Sequence, residues 1–139
     1  MIVVIDADVW VAEVRGSGNA SRVLQRCLDG PYRPLMGASL IAEYEDLMGR
    51  QALWENDHLN ASEREELLDI FLSVCQWTRI YYAWRPNLRD EADYHVIELA
   101  VAGQAQFVVT RNTRDMGTGE LPFPQFRVVT PGEILKVAI

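Results

Sequence analysis

Lysine is nearly missing from this 139-residue chain: Lys136 stands alone beside twelve arginines, and these 13 basic residues face 20 aspartates and glutamates. The formal net charge of -7 makes the surface as a whole repel phosphate backbones and anionic membranes, which argues against a nucleic-acid scaffold. Arginine's planar fork suits phosphate and carboxylate partners better than an ammonium does, so a local phosphate contact stays open. Cysteine is scarce too. Cys27 and Cys75 sit among apolar residues at helical spacing, which predicts buried thiols rather than a disulfide or a metal site. No apolar run approaches the roughly 20 residues a membrane-spanning helix needs, and Asp6 and Asp8 interrupt the place where a signal peptide's core would lie. The expectation is a cytoplasmic protein without membrane association. A Gly-rich phosphate loop after a strand is absent, which removes support for a dinucleotide-binding fold. Repeats, linkers and low-complexity tracts are absent as well, and 49% hydrophobic with 24% charged residues fits one domain over residues 1–139.

What is present alternates between two periods. Ile2, Val3, Val4 and Ile5 form a β-branched run that reads as a strand buried on both faces and stopping at Asp6. A short apolar stretch to Val14 and a Gly16-Ser17-Gly18-Asn19 turn follow. Next comes a helix with Ala20, Val23, Leu24, Cys27 and Leu28 on one face, ended by Gly30 and Pro31. Ser39 is the expected N-cap of a helix carrying Leu40, Ile41, Tyr44, Leu47 and Met48, with Glu43 in its first turn. Ser62 and Glu65 are expected to form a capping box for a helix burying Leu67, Leu68, Phe71, Leu72 and Cys75. A strand is expected over 78–82, then a helix near Asp90 with Val96, Ile97, Ala100 and Val101 inside and Gly103 at its close. Strands over 107–109 and 127–129 enclose a Gly- and Pro-rich loop at 116–126, and Thr130, Pro131 and Glu133 open a last helix. Apolar strands alternating with helices predict an α/β fold whose parallel sheet is covered on both faces.

In such folds ligands bind beyond the carboxyl ends of the strands, which is where the acids fall. Asp6 ends the first strand, Glu43 and Asp93 lie near helix starts, and Asn112 and Asp115 follow the strand ending at Thr110. Carboxylates gathered at one edge repel one another unless a cation neutralises them, so their convergence makes sense chiefly as a Mg2+ or Mn2+ site able to activate water against a phosphate. Singly, Asp90 and Asp93 read more simply as helix caps or dipole partners, and Glu45, Asp46, Glu63, Glu65 and Glu66 as solvated faces. His58 and His95 have no second metal-type partner in sequence, which favours surface or ordinary hydrogen-bonding roles.

Four segments in order, IVVIDADVWVAEV, SLIAEYEDLMGR, RDEADYHVIELAVAGQAQFVVTRNTRDM and FRVVTPGEIL, resemble a PIN domain, most closely the VapC-like branch of toxins from toxin-antitoxin systems. The resemblance runs from Met1 almost to Ile139. It implies a three-layer α/β/α fold with a central parallel sheet and a metal-dependent endoribonuclease activity, with Mg2+ or Mn2+ held by three or four acids. Asp6 matches the first acid of the family. Glu43 matches the second, in an S-x-x-x-E pattern from Ser39, and Asp93 the third, with Asp90 in reserve. The third motif departs from the family pattern: Tyr94 stands where a paired acid is usual and Glu91 where a proline is usual. Thr110, Arg111 and Asn112 give the amide form of a T-x-D/N motif, with Asp115 at the following acidic position and Asp8 where the family often has Asn. The implied catalytic set is Asp6, Glu43, Asp93, Asn112 and Asp115, with Asp6, Glu43, Asp93 and Asp115 as metal ligands. Thr110, Arg111 and Arg114 are the expected phosphate contacts, with Arg89 nearby.

The partners so implied are an RNA substrate and a cognate antitoxin protein. The competing expectation is a catalytically reduced module that keeps the fold and acts by binding protein, which Tyr94 favours. A phospho-acceptor receiver domain would need a lysine after a late strand, and Lys136 lies too far along. The four tryptophans are expected in core or edge packing rather than as base-stacking platforms. Any that are exposed, such as Trp54 or Trp84, are open to a homodimer or antitoxin interface.

Overall fold

The computed structural model describes residues 1–16, 18–54, 59–80, 94–113 and 126–138. In chain order the elements are β1 (Ile2–Ile5), α1 (Ala7–Val14), α2 (Gly18–Asp29), β2 (Arg33–Met36), α3 (Ala38–Met48), α4 (Gln51–Trp54), α5 (Ala61–Val74), β3 (Gln76–Trp77), α6 (Tyr94–Ala102), β4 (Phe107–Val109), β5 (Arg127–Val129) and α7 (Pro131–Ile134). The strands form one five-stranded sheet in the order β3-β2-β1-β4-β5, and every pairing is parallel. This is the α/β architecture that the alternation predicts.

β1 is the central strand, and its Val3, Val4 and Ile5 are buried between β2 and β4. The chain first builds outward from β1 through β2 to β3, then returns to place β4 and β5 on the other side. The reversal falls between β1 and β4, and a crevice at such a switch point is where doubly wound sheets bind ligands. α6 packs on β1, β2 and β4, while α1 contacts α2 and α3, and α2 contacts α5 and α7. Trp10, Tyr44 and Phe71 join α1, α3 and α5 through ring pairs with centroids 5.5 to 6.1 Å apart. Each such pair adds about 0.5–1.5 kcal/mol beyond its buried area, which fixes α3 relative to the end of β1.

Several boundaries differ from the sequence expectation. β2 has no counterpart in it, since Pro34 breaks the apparent strand. Arg33 N–H bonds to Met1 O at 2.7 Å, so the next position turns its missing N–H away from β1, towards a flank where pairing with β3 begins only at Leu35. The strand expected over 78–82 lies instead at Gln76–Trp77, with Thr78 N donating to Met36 O at 2.8 Å; residues 81 and 82 are outside the described residues. Ser39 does not cap α3. Gly37 does, without a side-chain bond, and a Cβ there would meet Leu99 Cδ1 and Thr78 O, both at 3.3 Å. Glu43 consequently lies in the second turn of α3. The capping box of α5 uses Asn60 and Glu63, two residues before the expected pair, with Glu63 N to Asn60 Oδ1 at 2.8 Å. α6 ends with Gln104 in the left-handed conformation, φ 56°. Gly103 is small for another reason: a Cβ there would overlap the Leu35 side chain.

The capping box of α7, Thr130 with Glu133 and Pro131 at the helix start, is as expected. Cys27 is buried, Cys75 is half-buried, and both are free thiols that burial pushes up to about 12. Trp54 is buried, its indole N–H donating to Leu47 O at 3.0 Å, so it is not available to a partner. The large apolar residues exposed among those described are Ile70 and Trp77. The expected 116–126 loop, His58 and Trp84 lie outside the described residues, except for Phe126, which is buried. No helix among the described residues is long and apolar enough to cross a membrane.

Candidate active site

Asp6 occupies the switch point. Its backbone N–H continues the β1–β4 ladder to Val109 O at 2.9 Å, and its side chain then caps α1, Oδ1 accepting from Ala7 N at 2.8 Å. Only 6% of the residue is exposed. On β4 the chain reaches the same level at Thr110, whose N–H bonds to Val129 O. Thr110 is fully buried, and its hydroxyl donates to Asp6 Oδ2 at 2.8 Å while lying 3.3 Å from Asp8 Oδ2. The Thr110 hydroxyl oxygen accepts the Asn112 N–H at 3.0 Å. Asp8 is held from the other side by the Arg111 N–H, 3.1 Å from Oδ2 and 3.3 Å from Oδ1. Two carboxylates from the start of α1 therefore share one hydroxyl proton from the end of β4.

That arrangement is electrostatically costly. Burial is the main reason the Asp6 carboxyl is pushed up to about 7, and the negative charges of Asp8 and Glu43 add to it against the pull of the Thr110 and Ala7 hydrogen bonds. Burial also raises Asp8, with the Arg111 and Thr110 hydrogen bonds and the Arg111 charge opposing. Glu43 reaches the cluster from α3, whose position is fixed by Tyr44: the Tyr44 hydroxyl donates to Ile5 O at 2.6 Å, one residue before Asp6. The Glu43 carboxylate Oε2 lies 2.7 Å from His95 Nε2 on α6. This contact ties the beginning of α6 to the acidic edge.

The structure thus brings Asp6, Thr110, Arg111 and Asn112 together, with Glu43 close enough to act on the Asp6 charge. Asp90, Asp93, Arg89, Arg114 and Asp115 lie outside the described residues. Among the described residues, no three of His, Cys, Asp and Glu come together as a metal-holding group. The donors that do converge are carboxylate oxygens, the ligand type of hard divalent cations, and a carboxyl raised to about 7 by burial first and by the neighbouring Asp8 and Glu43 charges second is one that a cation would relieve. The residues present fit such an ion. Thr110 is placed to hold Asp6 rather than to reach a phosphate, since its hydroxyl is buried and committed; Arg111 and Asn112 are exposed at the same edge.

Sequence reasoning passed over two participants. Asp8 carried a signal, the Asp-x-Asp spacing at a strand end. His95 carried none, because its partner Glu43 is 52 positions away and on another helix.

No curated protein matches this chain. Its fold is similar to a chain in the crystal structure of VapBC2 from Rickettsia felis bound to a DNA fragment from their promoter, at 15% sequence identity, with a TM-score of 0.64 and coverage of 94% of this chain and 98% of that one. The family model described as PIN domain matches residues 2–114. With that match over most of its length and acids gathered at the switch point of a parallel sheet, the chain belongs to the PIN domain family, whose members are in general nucleases.

Proposed function

We propose that this protein is a metal-dependent endoribonuclease and the toxin component of a toxin-antitoxin pair. The observation that carries the reading is Asp6, a carboxyl buried at the switch point and raised to about 7 beside Asp8 and Glu43. A carboxylate kept there at such a cost makes chemical sense as half of a cation site. Asp6, Glu43, Asp93 and Asp115 are the ligands we assign, with Asn112 completing the catalytic set. Mg2+ or Mn2+ bound there would polarise a phosphodiester and lower the pKa of water. Thr110 orients the Asp6 carboxylate, the Arg111 backbone holds Asp8, and His95 fixes the direction of Glu43. Arg111 and Arg114 are assigned to the substrate phosphate, where a guanidinium fork can make paired bonds.

The fold likeness to a chain of VapBC2 supports a protein antitoxin as partner, an analogy of fold rather than of site. The net charge of -7 opposes tight binding of RNA and favours a basic protein partner. The deciding experiment follows cleavage of a single-stranded RNA by purified protein with Mn2+ or Mg2+, with EDTA, and with Asp6→Asn. Cleavage that needs the ion and Asp6 is expected. Cleavage surviving EDTA, or none with either ion from folded protein that shows no thermal shift with Mn2+, refutes the reading.

A further inference from the structure

The carboxyl edge of the sheet continues past the acids. Ile5, Val109 and Val129 are partners across β1, β4 and β5, so the next residues, Asp6, Thr110 and Thr130, leave the sheet side by side. With adjacent strands about 4.8 Å apart, Thr130 stands roughly 10 Å from Asp6. There a pocket of about 440 Å3 lies between α2 and the segment 130–136. Asn19 and Arg22, one turn apart on α2, line it together with Lys136, the single lysine of the chain. All three are exposed, and none makes a side-chain hydrogen bond or ion pair among the described residues. Acids outnumber bases 20 to 13, so two cations left open on one pocket mark a place for an anion from outside.

The remaining groups of the pocket are committed. Glu133 Oε1 accepts the Thr130 N–H at 3.0 Å, and Thr130 Oγ1 accepts the Glu133 N–H at 3.1 Å, so one carboxylate stands against two cations and the pocket keeps a net positive charge. Gly132 admits the Asn19 amide: a Cβ there would lie 3.2 Å from Asn19 Nδ2. Behind the pocket Arg26, the next turn of the same face of α2, donates to the Tyr32 hydroxyl at 2.9 Å and to Leu135 O at 3.5 Å, and the Tyr32 hydroxyl donates to Ile134 O at 3.2 Å. These bonds hold α2 and α7 at a fixed separation, which lowers the ordering cost of binding between them.

We propose that this pocket is a second phosphate subsite for the RNA, in which a backbone phosphate sits between Arg22 and Lys136 with the Asn19 amide donating to it and its ribose lies against the half-buried Leu135. The volume falls in the range of small-ligand sites and takes a nucleotide unit rather than a lone phosphate. A stacked strand advances about 3.4 Å per phosphate, so roughly 10 Å sets the held nucleotide about three positions from the scissile bond. The subsite rests on the nuclease reading and deepens it, giving a protein of net charge -7 a local grip on a polyanion.

The test is fluorescence anisotropy of a labelled single-stranded RNA about a dozen nucleotides long, read in EDTA so that binding is seen without cleavage. Wild type is compared with Arg22→Gln, Lys136→Gln and Arg33→Gln; Arg33 is an exposed cation at the amino end of β2, on the opposite edge of the sheet, and controls for charge alone. Arg22→Gln and Lys136→Gln should melt with wild type. Each should bind about fivefold more weakly at about 0.1 M salt and lower the slope of log K against log salt by about 0.7, the counterion-release values for one phosphate on a single strand. Arg33→Gln should bind as wild type does. With Mn2+ present, the two pocket substitutions should raise KM for the RNA and leave kcat unchanged. No RNA binding by wild type, unchanged affinity and slope in both pocket variants, or an equal loss in Arg33→Gln overturns the subsite, and cleavage by wild type with Mn2+ then leaves the nuclease reading standing without it. The expected slopes in a protein that cleaves nothing with either ion support the pocket as an RNA site and sink the nuclease reading instead. Displacement of the labelled RNA by hexaglutamate as effectively as by unlabelled RNA makes the pocket a site for an acidic protein segment and overturns the RNA assignment.

Discussion

Asp6→Asn separates an ion site from a helix cap. The cap itself survives the change, because Asn and Asp are equivalent at that position and the retained Oδ1 can still accept from Ala7 N. The Thr110 hydroxyl can accept from the new amide and turn its proton to Asp8, now 3.3 Å away. What disappears is the charge. A carboxyl whose folded pKa is about 7 against an ordinary 3.8 holds its proton in the folded state where the unfolded chain has lost it. The stability of the metal-free wild type therefore falls as pH rises through that window, and the full deficit is present above pH 7. A rise of this size corresponds to about 4 kcal/mol as an upper limit. Asp6→Asn should accordingly be more stable than wild type at pH 8 in EDTA, by about 2–4 kcal/mol once imperfect amide hydrogen bonds are allowed for, and the gap should close near pH 4. Urea denaturation followed by tryptophan fluorescence at both pH values reads this directly. Added Mn2+ should stabilise wild type and leave the mutant unchanged. A mutant less stable at pH 8, a gap independent of pH, or an equal Mn2+ response in both proteins refutes the reasoning.

Three other substitutions probe the supports of the site. Thr110→Val keeps the shape but strips the Asp6 carboxylate of a donor and the Asn112 N–H of an acceptor; it should cost about 1–3 kcal/mol in urea denaturation and raise the Asp6 pKa further, and an unchanged midpoint would show that the hydroxyl is dispensable. His95→Ala releases the Glu43 carboxylate from its 2.7 Å contact and should weaken Mn2+ binding about 10–100-fold by calorimetry, with His95→Gln recovering part of it; full affinity in His95→Ala would remove His95 from the site. Gly103→Ala drives a methyl into Leu35 and should lower stability by about 1–3 kcal/mol, whereas a neutral effect would mean that α6 can shift away from β2.

The sequence by itself determined what repeats along the chain. The β-branched run of β1, the apolar face of α2 with Ala20, Val23, Leu24 and Cys27 buried, the strands β4 and β5, and the Thr130 and Glu133 box are all local patterns, set by periods of two or 3.6 residues and by bonds spanning three positions. Local patterns also misled where two candidates competed. Ser62 and Glu65 make as good a box on paper as Asn60 and Glu63, and Ser39 as good a cap as Gly37; only the packing of Leu99 and Thr78 against Gly37 decides the second case. β2 was invisible because a strand containing Pro34 is tolerable only where a neighbour makes no demand for its N–H, and that neighbour is 42 residues away. The site shows the same division. Asp6 was legible as an acid after four buried aliphatics, and Glu43 by its resemblance to a family motif. That Asp6 and Asp8 share the hydroxyl of Thr110, more than a hundred residues on, follows from the strand order, in which β4 returns to lie beside β1, and that His95 meets Glu43 follows from the packing of α6 on α3; no pattern confined to one segment records which element will be its neighbour.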